Sequence, residues 1–135
     1  YQRISPPGDY SAVGYEIYPK CIYDVLHYVQ RHYAPTEVFI SENGLALANE
    51  TVTEDGEILD YKRAQYYVDH VEQLARAAAE GVPVTGYFAW TLMDNFEWAY
   101  GYTVPFGIVQ VDYATQARKI KFSGETYREI IRARR

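Results

Sequence analysis

Val38-Phe39-Ile40-Ser41-Glu42-Asn43-Gly44 is a short apolar run of strand formers that ends in a polar turn, and Val84-Thr85-Gly86-Tyr87-Phe88-Ala89-Trp90 is a second such run. Between them Ala64, Tyr67, Val68, Val71, Leu74, Ala75 and Ala78 recur at the spacing of one helix face. Asp60 stands where an N-cap is wanted, and Gly81 with Pro83 ends the helix. Both runs read as buried strands. Strand, helix and strand then form a βαβ crossover, which requires parallel pairing and helices laid over the sheet. The fold class is α/β.

Outward from this unit the patterning is simpler. Ser5-Pro6-Pro7-Gly8-Asp9 reads as extended loop. A helix is predicted from Pro19, with Ile22, Val25, Leu26, Val29 and Tyr33 as its buried stripe. Residues 45–60 are acidic and unpatterned and read as a surface loop, so Glu50, Glu54, Asp55 and Glu57 are expected to be solvated. After a loop over 91–106, the run from Gly107 to Tyr113 alternates and faces Arg118-Lys119-Ile120-Lys121 as a hairpin. Ser123 is placed to cap a last helix, with Tyr127, Ile130 and Ile131 inward and Arg128, Arg132, Arg134 and Arg135 solvated. Two parallel strands with one crossover leave unpaired edges, so another copy, another chain or a larger whole must complete the sheet.

At 135 residues the chain is long enough for one domain, and 18 Asp+Glu against 13 Lys+Arg leave no concentrated basic patch for nucleic acid or an anionic membrane. No apolar run reaches the ~20 residues a bilayer span needs. Tyr1-Gln2-Arg3-Ile4 reads as neither a secretory signal nor an initiator start. The lone Cys21 excludes an internal disulfide and any multi-cysteine metal site, and a free thiol fits a reducing, cytoplasmic setting. His27, His32 and His70 lack metal-ligand spacing and read as surface or packing residues. No cofactor or metal is expected. The aromatic share is high at 16%. A tyrosine-rich core and surface accounts for it, and so does a ligand surface of flat faces with polar edges, of which carbohydrate is the obvious ligand.

In α/β proteins sites gather at the carboxyl ends of strands. Here those ends carry Ser41-Glu42-Asn43-Gly44 and Trp90-Thr91-Leu92-Met93-Asp94-Asn95-Phe96-Glu97-Trp98. An Asn-Gly after a strand is ordinarily a tight turn and a Glu beside it ordinarily solvated. Trp90 or Trp98 together with Glu42 and Glu97 on one rim, however, supply what a polyhydroxylated ring requires. Its C–H face stacks on an aromatic ring, and its hydroxyls donate to carboxylates.

Ile40-Ser41-Glu42-Asn43-Gly44, followed by the run from Gly86 through Trp90 and Asp94-Asn95-Phe96-Glu97-Trp98 to Tyr102, resembles the family 1 glycoside hydrolases, the β-glucosidase family. The resemblance runs from about Gly14, through Glu16-Ile17-Tyr18-Pro19, to Tyr127-Arg128. It implies the C-terminal part of a (β/α)8 TIM barrel: the sixth helix, then the seventh and eighth strands with their helices. The N-terminal part of the barrel would be this segment's partner, since such barrels take ~250 residues. It implies Glu42 as catalytic nucleophile and Trp90 as the platform under the sugar. Glu97 would bind the 4- and 6-hydroxyls, Trp98 would donate to a neighbouring hydroxyl, and Phe106 would close over the 6-position. It also implies a cis peptide at Trp90-Thr91. The expected substrate is a terminal β-glucoside or related oligosaccharide.

A retaining glycosidase uses two carboxyl groups about 5–5.5 Å apart, a nucleophile and an acid/base. The family's acid/base glutamate sits in an Asn-Glu-Pro stretch that this chain does not contain, so it would lie outside the chain. Tyr15 stands where many members carry tryptophan, Lys20-Cys21-Ile22 replaces Glu-Gly-Leu, and Val104-Pro105 precedes Phe106 where a basic residue is common. A carboxylate at Glu97 argues against 6-phosphoglycosides, because it would repel the phosphate. Two other readings stand beside this one: a non-catalytic carbohydrate-binding piece, and a structural segment stable only on the remaining strands.

Overall fold

The computed structural model describes residues 6–133, so the expectations for Tyr1-Gln2-Arg3-Ile4, Ser5, Arg134 and Arg135 lie outside it. In chain order the elements are α1 (Lys20–Tyr33), β1 (Val38–Asn43), β2 (Thr51–Val52), β3 (Ile58–Leu59), α2 (Tyr61–Ala79), β4 (Val84–Ala89), a 3-10 turn (Trp98–Tyr100), β5 (Val109–Val111), β6 (Arg118–Ile120) and α3 (Phe122–Ala133). The architecture is mixed α/β. No described helix is long and apolar enough to cross a membrane.

β1 and β4 pair in parallel, with Val38 opposite Val84 and Ile40 opposite Tyr87, as the βαβ reading requires. Ile22 and Leu26 of α1, Leu74 and Ala77 of α2 and Val82 form the core, and Val38, Ile40, Val84 and Tyr87 pack on it from the sheet. Each large aliphatic side chain buried this way contributes roughly 1.5–3 kcal/mol. The strands are not buried on both faces, as the apolar runs had suggested. Phe39 and Phe88 are 52% and 58% exposed on the opposite face, where their rings meet edge to face with centroids 6.0 Å apart, because no second layer covers that side among the described residues.

α1 is preceded by Pro19 at its N-cap, a position where a missing amide costs nothing, and stops where Ala34 takes a left-handed φ of 43° and donates back to Gln30 O. Its buried stripe is narrower than predicted: Val25 and Tyr33 are exposed, since α2 and the sheet cover one side only. Residues 45–60 are also more ordered than a surface loop. Leu45, Ala46 and Ile58 are buried, β2 pairs with β3, and Glu50 is enclosed between Arg63 and Lys121 instead of being solvated. Glu54, Asp55 and Glu57 are exposed, as expected.

Asp60 occupies the N-cap position of α2 but makes no side-chain cap there. Its carboxylate instead accepts from the backbone N–H of Ser123 at 2.8 Å and from the Ser123 hydroxyl, so it caps α3 from a distant part of the chain. The buried face of α2 includes Arg63, His70 and Ala77 beside the predicted Ala64, Tyr67, Val71 and Leu74, while Val68 and Ala78 are exposed. The β5–β6 hairpin forms as predicted. In α3, Tyr127 and Ile130 are half-buried and Arg128 and Arg132 exposed, but Ile131 faces outward, because α2 covers only one side of this helix.

His70 is buried and stacked on the Tyr66 ring at 3.7 Å, with Nδ1 2.7 Å from Tyr66 O. A carbonyl can only accept, so Nδ1 carries a proton, and that bond alone would favour the charged ring. Burial lowers its pKa below the usual 6.5. The unfolded chain therefore binds more protons between the two values. The stabilisation is complete above pH 6.5 and is lost as pH falls through the depressed folded value. Denaturant midpoints measured from pH 7.5 to 5 are expected to fall on acidification, and His70→Gln to flatten that fall; an unchanged slope would refute the assignment.

Candidate active site

Parallel pairing brings the carboxyl ends of β1 and β4 to one edge, and the ladder is extended there by Trp90 N–H donating to Asn43 O at 2.8 Å. The Asn43 side chain is held from two sides. Its Nδ2 donates to the Tyr66 hydroxyl at 3.0 Å, and its Oδ1 accepts from the Tyr87 hydroxyl at 2.7 Å. Burial pushes the Tyr66 pKa up to about 12 and that of Tyr87 upward also, so both phenols stay protonated at neutral pH. A doubly bonded amide next to Glu42 restrains the strand end that carries the carboxylate.

Glycine is required at position 44. A Cβ there would stand 1.6 Å from the carbonyl oxygen of Trp90, whose oxygen also accepts from the Tyr67 hydroxyl at 3.1 Å. The two strand ends therefore meet backbone to backbone. The Trp90-Thr91 peptide is cis, as the family resemblance implied.

The loop after β4 returns Glu97 and Trp98 to the same edge. Glu97 N–H donates to Gly101 O at 2.7 Å, its carbonyl accepts from Tyr100 N–H at 2.8 Å, and Trp98 opens the 3-10 turn with φ 41°. Phe106 is joined to this edge by Thr91 N–H donating to its carbonyl at 3.3 Å.

Glu42, Trp90, Glu97, Trp98 and Phe106 line a single open cleft of about 350 Å³, together with Tyr15, Asn43, Gly44 and Tyr66. The structure thus brings together all five residues singled out in the sequence. Trp98 is 81% exposed at the mouth, and Phe106 is 8% exposed at the wall. None of the lining residues is basic. Aromatic faces beside two carboxylates can stack on the C–H face of a sugar and accept from its hydroxyls, while an anionic ligand would be repelled. Sequence reasoning missed Tyr66, which lies one position off the apolar stripe of α2. The available signal was the helical spacing of Tyr66 and His70, which places them one above the other.

A family model described as "Glycosyl hydrolase family 1" matches residues 2–135. A 1,4-beta-D-glucan glucohydrolase of Thermotoga neapolitana is 50% identical over 122 residues, which cover 90% of this chain and 27% of that protein. Beta-glucosidase A of Thermotoga maritima is 48% identical over 122 residues, with the same coverage. A solved family 1 b-glucosidase from Thermotoga maritima superposes with a TM-score of 0.92 at 46% identity, covering 96% of this chain and 29% of that one, and it has also been solved with isofagomine lactam and with deoxynojirimycin. These structural neighbours are (β/α)8 barrels. The chain spans less than a third of the length of each of these relatives. With the matched model running over nearly every residue and relatives near half identity, this chain belongs to glycosyl hydrolase family 1.

Proposed function

We propose that this chain is the C-terminal part of a (β/α)8 barrel in a retaining β-glycosidase of the β-glucosidase type, supplying the nucleophile Glu42 and the glycone-binding residues Trp90, Glu97, Trp98 and Phe106. The observation that carries this is the presence of Glu42 in one cleft with Trp90, Glu97, Trp98 and Phe106. Residues outside these 135 complete the barrel, and the exposed Phe39–Phe88 face is then its interior. Trp90 holds the C–H face of a terminal glucosyl residue, Glu97 accepts from its 4- and 6-hydroxyls, Trp98 donates to a neighbouring hydroxyl, and Phe106 packs over the 6-position.

In the first step a Glu42 carboxylate oxygen forms a bond to the anomeric carbon as the bond to the leaving oxygen breaks. A glutamic acid from the remainder of the barrel delivers its proton to that oxygen. In the second step the same residue takes a proton from water, whose oxygen displaces Glu42 and restores the original anomeric configuration.

The test is trapping. The complete protein, treated with an aryl 2-deoxy-2-fluoro-β-glucoside, is expected to gain one fluoroglucosyl unit on the peptide containing Glu42, as read by mass spectrometry. Label on another carboxylate removes Glu42 from the role. Turnover of an unmodified aryl glucoside without any trapped species would refute the covalent route, and binding of glucose without turnover would favour the non-catalytic reading.

A further inference from the structure

Behind the cleft lies a cluster of five charged side chains, all nearly or fully buried: Glu50, Asp60, Arg63, Asp94 and Lys121. Arg63 uses every arm of its guanidinium. Nη1 donates to Glu50 Oε1 at 2.6 Å and to Asp60 Oδ2; Nε donates to Leu45 O at 2.9 Å and Nη2 to Pro105 O at 2.9 Å. Lys121 Nζ donates to Glu50 Oε1 at 2.7 Å and to Asp94 Oδ1 at 2.9 Å, and the same Asp94 oxygen accepts from Gly107 N–H at 2.8 Å.

Buried ion pairs often add little net stability over apolar packing, so their number alone argues nothing. What distinguishes this cluster is where its bonds to the backbone go. Leu45 follows the Glu42-Asn43-Gly44 segment directly, whereas Pro105 and Gly107 flank Phe106 on either side. One guanidinium therefore ties together the two segments that bring Gly44 and Phe106 into the cleft lining, and one carboxylate holds the backbone on the other side of Phe106. The fit is tight: a Cβ on Gly107 would lie 2.3 Å from Asp94 N. Pro105 O also accepts from Leu47 N–H at 3.3 Å, a second tie between the same two segments.

We propose that Arg63 and Asp94 are positioning residues, which fix the Phe106 ring relative to Glu42 through the backbone on both sides of that ring and thereby set discrimination for the substituent that Phe106 covers. The inference rests on the glycosidase reading above. Neither residue lines the cleft, so each acts through Phe106.

The decisive variant is Arg63→Lys in the complete protein. It keeps a cation opposite Glu50 and Asp60 but has one nitrogen where Arg63 uses three, so it cannot hold Leu45 O and Pro105 O together. The measurement is the ratio of kcat/KM for an aryl β-glucoside to that for the matching β-xyloside, which lacks the 6-hydroxymethyl group. A ratio cancels any loss of folded protein. The preference for the glucoside is expected to fall about tenfold, below the ~100-fold that a 1 Å misplacement can cost. Asp94→Ala, which removes the acceptor for Gly107 N–H, should likewise lose the preference, and Asp94→Asn, which keeps an oxygen there, should retain it. Equal losses on both substrates in Arg63→Lys and Asp94→Ala would overturn the positioning role and leave the glycosidase reading intact. A wild-type protein that hydrolyses neither substrate would overturn both.

Discussion

Glu42→Gln in the complete protein is expected to lower kcat for aryl β-glucoside hydrolysis on the order of 10⁴- to 10⁶-fold, the range in which loss of a covalent nucleophile falls. The amide is nearly isosteric, so the cleft of Trp90, Glu97, Trp98 and Phe106 should persist and the Kd for a glucose-like inhibitor should change little. Glu42→Gly gives the complementary result. With azide present, the anion should enter the space left by the carboxylate, form a bond from nitrogen to the anomeric carbon as the aryl oxide leaves, and yield the α-glucosyl azide. Activity in Glu42→Gln within tenfold of wild type would remove the nucleophile from position 42.

The second large effect falls on a residue with no functional group. Gly44→Ala places a Cβ 1.6 Å from Trp90 O, and the obstacle is backbone, which cannot swing aside as a side chain does. Relief requires the end of β1 to separate from the end of β4, where Trp90 N–H meets Asn43 O and the Tyr67 hydroxyl meets Trp90 O. Overpacking of this kind costs ~3 kcal/mol at the upper end of its usual range. Both a lowered denaturant midpoint and a loss of kcat/KM of ~100-fold are expected, since Glu42 and Trp90 would move apart. A variant with wild-type stability and kinetics would show that the two strand ends are not packed as described.

The two predictions draw on features that differ in how far the sequence announces them. The βαβ unit was legible because helical and apolar-run patterns are local, and parallel pairing follows from the length of the connection. The rim was legible because both strand ends are continuous stretches whose composition suits sugar, so Glu42, Trp90, Glu97 and Trp98 could be named before their geometry was known. Phe39 and Phe88, read as buried, are exposed in this chain because an apolar run signals that a surface seeks cover and not what supplies it. The cluster behind the cleft was illegible for another reason. Arg63 and Lys121 look like ordinary solvated charges, and the contacts that gather the cluster around them reach across the chain. Glu50 with Lys121 and Asp60 with Ser123 are separated by 71 and 63 positions, beyond the reach of any pattern along the chain.

The cap that Asp60 provides to α3 has a kinetic side. The Ser123 N–H at the start of that helix finds its acceptor only when two parts of the chain 63 residues apart have met. Closing so long a loop costs entropy before any contact returns it, and contacts of this span tend to form late. The crossover helix and the two strand ends can be in place first. The start of α3 is then expected to dock late on the start of α2, which pulse-labelling hydrogen exchange at the Ser123 N–H during refolding would read.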